Sequence, residues 1–194
     1  MLYCPSLLRF GAIVMLSTLI SACTTKVQEK PYAHYIEASS GSQSAFTPVD
    51  ELPRLAPFVK MMREFSAGKM SGNITAAYAE TFYFNDTFHT LEQRRALIDY
   101  FTELAGKGKT EVTFLDANNA GDDFYVRWKM RMQFKALWRE IDVTSVGLTH
   151  LRLDDNGKIV LHQDFWDGAE GFYAHLPVIG GQIKRIRSQL GQVD

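Results

Sequence analysis

Cysteine is nearly missing from this chain: two of its 194 residues are cysteine, Cys4 and Cys23, and none follows. A disulfide, a thiolate zinc site and a cysteine nucleophile are therefore excluded from the body of the protein. A surplus of either charge is missing too. Lys and Arg number 21 against 22 Asp and Glu, a formal net charge of −1, so no cation excess exists to condense on phosphates and no nucleic acid is expected as a partner. No glycine-rich loop leads from a strand into a helix, and no serine sits in a nucleophile elbow, so no cofactor is expected. No metal is expected either, because His162-x-Asp164 offers two ligands without a third His or Cys nearby. The longest apolar run, Phe10 to Ile20, is too short to span a bilayer as a stable helix. No internal repeat is visible.

What is present begins at the N-terminus. Arg9, the apolar run and then Ser21-Ala22 before Cys23 have the outline of a secretory signal peptide. Leu19-Ile20-Ser21-Ala22-Cys23 resembles a bacterial lipobox. That resemblance implies that residues 1–22 are removed as a lipoprotein signal peptide and that Cys23 is acylated as the first mature residue. Thr24 after the cysteine is similar to cargo sent to the outer membrane, so the implied location is the bacterial cell envelope, lipid-anchored and facing the periplasm. Acyl chains supply about 0.8 kcal/mol per buried methylene, so Cys23 alone makes the membrane a partner without a transmembrane span.

Residues 23–48 are polar and interrupted, with Ser39-Ser40-Gly41-Ser42-Gln43-Ser44 in their middle, and read as a flexible tether. The domain proper follows at 49–194. Leu52, Leu55, Val59, Met62 and Phe65 recur at three- and four-residue spacing, with Pro53 and Pro57 suited to a first turn and Gly68 to the end. A second helix is expected from Ile74 to about Phe82, capped by Asn73, and an extended piece from Tyr83 to Phe88. Thr90-Leu91-Glu92-Gln93 reads as a capping box for a third helix from Leu91 to Ala105.

Beyond Gly108 the period becomes two and stays there, which means consecutive antiparallel strands. Phe124, Val126, Trp128, Met130, Met132 and Phe134 alternate with Tyr125, Arg127, Lys129, Arg131 and Gln133, giving one buried face and one wet, basic face. Glu140 to Leu153 and Lys158 to Asp167 are joined by Asp155-Asn156-Gly157-Lys158, a strong hairpin signal. A two-residue Asn156-Gly157 turn sets Thr149 across from Asp164. A three-residue bulged turn instead sets His162 and Asp164 with His150, so the register decides which polar groups enter the core. The C-terminal segment sets Ile183, Ile186 and Leu190 against Lys184, Arg185 and Arg187. It reads first as the solvated face of a packed helix, second as a surface for an anionic membrane.

Three helices, a long curved antiparallel sheet and a terminal helix make an α+β chain that resembles the nuclear transport factor 2-like, SnoaL-like superfamily. The resemblance is carried by Gly147-Leu148-Thr149-His150-Leu151-Arg152-Leu153, by Asn156-Gly157-Lys158-Ile159 and by His162-Gln163-Asp164-Phe165-Trp166-Asp167. Phe84-Asn85-Asp86-Thr87 is similar to the family's Phe-x-Asp-Pro segment, with Thr87 in place of the proline. It implies a cystatin-like cone wrapped around a pocket. The cone hosts isomerases, cyclases, hydrolases and dehydratases as well as proteins without catalysis, so the fold leaves the activity open.

Within that family, limonene epoxide hydrolase resembles this chain at Gln163-Asp164-Phe165-Trp166-Asp167 and at Tyr83-Phe84-Asn85. The likeness implies that Asp164, Tyr83 and Asn85 position and deprotonate a water. Lys129 stands where its second, acidic Asp is expected. Independently of the resemblance, an Asp beside Trp166 and Trp128 can become a base once burial makes its charge costly, and His162 on the same strand face could relay the proton. The alternative is that His162 and Asp164 form a satisfied polar pair closing the barrel. The expected site thus comprises Asp164, Tyr83, Asn85 and His162 for chemistry and Trp128, Met130, Thr149 and Trp166 for a small, largely apolar ligand. Two other functions stay open: a hydrolase or isomerase using Asp164, and a non-catalytic module, a homodimer formed through the sheet face of Tyr125, Arg127, Lys129 and Arg131.

Overall fold

The switch from helical to alternating period divides the chain into a helical layer and a sheet. The computed structural model describes residues 30–40 and 46–190; the leader, Cys23 and the rest of the expected tether lie outside the described residues. Helix α1 (Lys30–Ser40) comes first. Two short 3₁₀ turns, Val49–Glu51 and Pro53–Leu55, lead into α2 (Ala56–Arg63) and α3 (Ala67–Ala77). Strands β1 (Tyr78–Asn85) and β2 (Thr90–Gln93) precede α4 (Arg94–Lys107). Then come β3 (Gly108–Ala120), β4 (Asp123–Ala136), β5 (Arg139–Leu153) and β6 (Ile159–Trp166), followed by α5 (Gly168–Gly171) and α6 (Gly180–Gln189).

The six strands form one open, curved sheet in the order β2-β1-β6-β5-β4-β3. Neighbours are antiparallel except β1 and β6, which are parallel. This departs from the all-antiparallel expectation because the chain leaves β1 and returns to its side only after four further sheet strands. Leu55, Phe58, Met61, Met70, Ile74, Leu97 and Phe101 of the helical layer pack on Phe84, Phe124, Val126, Leu151 and Ile159 of the sheet. That is the α+β cone expected from the sequence.

Several local expectations are overturned by tertiary pairing. Asn73 lies inside α3 rather than capping a helix, and Tyr78 to Phe82 are strand rather than helix. Tyr78, Phe82 and Phe84 are buried on the sheet, and that burial outweighs the weak helical period. The capping box is not formed. Thr90–Gln93 pairs as β2 with β1, the Thr90 hydroxyl accepts from Asn85 Nδ2 at 2.8 Å, and Gln93 caps α4 without a side-chain bond. Gly68 falls inside α3 instead of ending the first helix.

The stretch read as a tether carries structure as well. Helix α1 lies against the outer sheet face, where Arg127 donates to the Tyr35 hydroxyl at 2.9 Å and its guanidinium sits 4.8 Å from the Phe46 ring centroid. Thr47 exchanges two backbone hydrogen bonds with Ala117 of β3, at 2.7 and 2.8 Å. The outer stripe is less basic than its sequence suggests, since Asp116 pairs with Arg127 and Asp142 with Arg131.

The β5–β6 hairpin shows a compensation. Gly157 N–H donates to Asp154 O at 2.9 Å and Asp154 N–H to Lys158 O at 2.8 Å, so the loop is Asp155-Asn156-Gly157 and not the expected two-residue turn. Only Gly157 takes a positive φ, at 74°. A second irregularity follows at once, because Leu153 pairs with Ile159 but Arg152 with Leu161. The inserted residue restores the register, and Thr149 faces Asp164 while His150 faces Gln163. Gly157→Val is expected to cost about 1–3 kcal/mol through strain at this left-handed position; chemical denaturation reads it, and an unchanged midpoint would contradict the account.

Candidate functional site

Alternation along β4 builds one wall of a cavity. Phe124 and Val126 enter the helical core, whereas Trp128, Met130, Met132 and Phe134 line an open space of about 410 Å³. Phe58, Phe101 and Phe114 close its inner side, and Phe88, Trp166, Phe172 and Tyr173 stand at its flank. Thr149, His162 and Asp164 reach it from β5 and β6 and Asp86 from the end of β1, while His89, Lys107, Lys109 and Lys135 are further polar residues of its lining. That volume lies within the range of small-molecule sites, and an apolar lining with a few convergent polar groups is their usual composition.

The polar groups around Asp164 form one hydrogen-bonded chain. Trp128 Nε1–H donates to Thr149 Oγ1 at 2.8 Å, and the Thr149 hydroxyl donates to Asp164 Oδ1 at 2.5 Å. His162 Nε2 lies 3.0 Å from the same carboxylate oxygen, and its Nδ1 lies 2.5 Å from the Tyr78 hydroxyl. Tyr78 decides the direction of the protons. Burial first, then the negative charges of Asp164 and Asp86, push its phenol well above the ordinary tyrosine range, so the hydroxyl stays protonated and donates to Nδ1. In the neutral imidazole the remaining proton is then on Nε2 and points to Asp164. His162 is 2 % exposed, with Phe58 and Phe84 edge-on to its ring at 5.8 and 4.8 Å.

Both bonds to Asp164 end on Oδ1, and among the described residues none reaches Oδ2. A half-buried carboxylate with one oxygen fixed and the other open to an apolar cavity can accept a proton from a bound molecule. Asp86 is a different case. Its Oδ1 accepts from the Phe88 and His89 backbone at 3.0 and 2.9 Å, and its Oδ2 from Tyr100 at 2.6 Å. Both oxygens of Asp86 are thus engaged, by the β1–β2 loop backbone and by Tyr100, whereas both hydrogen bonds to Asp164 end on one oxygen.

Six of the eight expected site residues line this cavity: Asp164, His162, Trp128, Met130, Thr149 and Trp166. Tyr83 and Asn85 do not. Tyr83 is exposed and its hydroxyl donates to Gln163 Oε1 at 3.2 Å, while Asn85 binds Thr90, Thr87 and Gln163. Strand parity is the reason. Phe84 pairs with His162 and faces inward, so Tyr83 and Asn85 on either side face out. Tyr78 and Asp86 are site residues beyond those expected: Tyr78 falls in a stretch whose period is helical, and Asp86 in the Phe84-Asn85-Asp86-Thr87 segment, whose pattern carries a signal for fold and none for the site. Thr87 has φ 85°, which a proline, fixed near about −65°, cannot adopt. The loop here therefore takes a path that the proline-bearing segment could not follow. Among the described residues no group of three or more His, Cys, Asp or Glu could hold a metal ion.

The profile of the SnoaL-like domain matches residues 58–162. No curated protein matches the sequence. Among solved structures, an LEH-like epoxide hydrolase of M. tuberculosis is similar at 15 % identity and TM-score 0.52, over 73 % of this chain and 98 % of that one. A protein of Shewanella putrefaciens CN-32 assigned as a SnoaL-like polyketide cyclase is similar at 20 % identity and TM-score 0.53, over 61 % and 92 %. A Catenulispora acidiphila protein with a ketosteroid isomerase-like fold, in complex with trimethylamine, is similar at 16 % identity and TM-score 0.53, over 63 % and 94 %. At these identities the likeness is one of fold.

Proposed function

The chain belongs to the SnoaL-like domain family, and on that premise we propose that it is a cell-envelope lipoprotein, anchored through acylated Cys23 on the periplasmic side of the outer membrane. In this reading its cone binds a small, largely apolar ligand and sets Asp164 against it as a general base. The observation that carries the reading is the open Asp164 Oδ2 at the wall of a 410 Å³ cavity lined by Trp128, Met130, Met132 and Phe134. Thr149 and His162 donate to the other oxygen, so the carboxylate is oriented before a ligand arrives. Tyr78 locks the imidazole tautomer that makes this possible. The chemistry that suits a single available carboxylate against an apolar wall is proton abstraction next to a carbonyl.

Epoxide hydrolysis, suggested by one similar structure, needs an acid for the leaving oxygen, and the β4 wall supplies Trp128, Met130, Met132 and Phe134 instead. Dimerisation through the sheet has less support, because Arg127 is covered by Tyr35 and Phe46 and paired with Asp116. No helix among the described residues is long and apolar enough to cross a membrane, so attachment in this reading depends on acyl chains.

The test combines fractionation with a binding measurement. Cys23→Ser is expected to prevent acylation and to move the protein from the membrane into the soluble fraction, and mass spectrometry of wild type should show diacylglycerol on Cys23. Titration with a fused-ring aromatic ketone should quench Trp128 and Trp166. A free thiol at position 23 in the membrane-bound protein would remove the lipoprotein half of the proposal, and an unquenched indole signal at saturation the ligand half.

A further inference from the structure

Two apolar side chains with no packing role in the described fold stand at the tip of the β4–β5 hairpin. Ala136 pairs with Arg139, so the turn consists of Leu137 and Trp138, which are 68 % and 74 % exposed. Leu137 has φ 56°, a strained conformation for a branched side chain. Keeping a strained turn in order to present leucine and tryptophan to water costs free energy twice.

The same end of the molecule repeats the arrangement. Phe134 stacks on Phe172 at 5.3 Å, so the segment leading into α6 lies beside the hairpin. In that segment Val178 has φ 71° and is 73 % exposed. Ile179, Ile183, Ile186 and Leu190 then follow at four, three and four residues, one helical stripe. Gly180 is the only residue of α6 that is buried, so the stripe is not the packed face expected from the sequence. Cations surround these apolar groups. Lys135 precedes the turn, and Lys184 and Arg185 flank the stripe; none of the three has an ion-pair partner among the described residues. The acids nearby are Glu140, opposite Lys135, and Asp167 and Glu170, both held by Arg187.

We propose that this end docks on an anionic lipid surface, with Leu137 and Trp138 entering the boundary between headgroups and acyl chains and α6 lying along it. Aromatic tips ringed by lysine and arginine suit that boundary. A second copy fits less well, because a two-fold contact through this patch would set Lys135, Lys184 and Arg185 against their own equivalents. Phe134 and Lys135 line the cavity and run directly into the turn, so docking brings the cavity's rim to the lipid and gives an apolar ligand a route that avoids water. The docking does not rest on acylation of Cys23.

The mature chain, residues 23–194, carrying Cys23→Ser separates the two attachments. It is mixed with phosphatidylcholine vesicles, with or without phosphatidylglycerol, whose acyl chains are brominated. The fluorescence component removed by Trp138→Phe should be quenched, more strongly with phosphatidylglycerol and less as salt is added. Leu137→Ser with Trp138→Ser should lower vesicle partitioning at least about tenfold, as loss of two large apolar contacts implies. Lys135→Gln with Lys184→Gln and Arg185→Gln should abolish the preference for phosphatidylglycerol. Vesicle-bound chain with unquenched Trp138, or equal quenching on both vesicles, overturns the proposal. So does a Trp138-dependent dimer seen by sedimentation without vesicles, which would make a second copy the occupant.

Discussion

Asp164→Asn should remove proton abstraction from the cavity while leaving the fold in place. Asparagine is nearly isosteric, and its carbonyl oxygen can still accept from the Thr149 hydroxyl and His162 Nε2–H, which now meet at Oδ1 at 2.5 and 3.0 Å. What disappears is the charge and the basic lone pair at Oδ2. Loss of a positioned general base lowers rate by about 10²–10⁴-fold. The readout is exchange of deuterium from solvent into the carbon next to the carbonyl of a bound apolar ketone, followed by mass spectrometry. Binding of the same ketone should change little, since the apolar wall supplies most of its contact. Tyr78→Phe serves as the positioning control. It leaves Asp164 untouched but frees Nδ1 of His162, so exchange should slow without stopping. Equal exchange rates in wild type and Asp164→Asn would end the catalytic reading and leave binding standing.

The second large effect is on stability, at Gly147. This residue pairs with Trp128 across β4 and β5, and a Cβ added to it would lie 2.3 Å from the indole Cζ2 and 2.4 Å from Cη2, far inside van der Waals contact. Gly147→Ala must therefore move the ring. Trp128 is 5 % exposed and its Nε1–H is bonded to Thr149, so the displaced indole loses that bond and swings toward the cavity. Overpacking of this kind costs about 1–3 kcal/mol, and the lost hydrogen bond adds about 1 kcal/mol. A chain of this size should lose roughly 5–15 °C in Tm, and ketone binding should weaken because the cavity is partly filled. Trp128→Phe in the Gly147→Ala background should cost less than the sum of the two single changes, since the smaller ring relieves the clash. Additive costs would show that something other than the indole limits position 147.

The sheet half of the fold was legible because alternation over Phe124 to Phe134 and the Asn156-Gly157 signal are local properties of the chain. The Thr149 to Asp164 pairing was reached through a different turn from the one expected, and only a second irregularity at Val160 brought it back into register. No local rule announces such a compensation. The helical half was read less well. Thr90-Leu91-Glu92-Gln93 has the composition of a capping box, yet pairing with β1 gives those residues more hydrogen bonds than capping would. Tyr78 is the instructive case. Its role depends on a partner far along the chain, so it stays hidden until β1 is seen beside β6. Asp164, His162, Trp128 and Thr149 were found because they share strand faces that alternation defines.

The parallel contact of β1 with β6 has a consequence for the order in which the protein is made. Strands β3 to β6 follow one another and can pair as they emerge, and β1 with β2 is likewise a local pairing. The bond from Tyr78 to His162, by contrast, spans 84 residues and closes a loop that neither half can close alone. Long-range closures are entropically costly and come late. Until the two pieces of sheet meet, Nδ1 of His162 has no phenol to fix its tautomer. In a partly folded chain the apolar half-cone therefore lacks the Tyr78–His162 contact, and under the proposed function closing the sheet is also what orders the polar chain at Asp164.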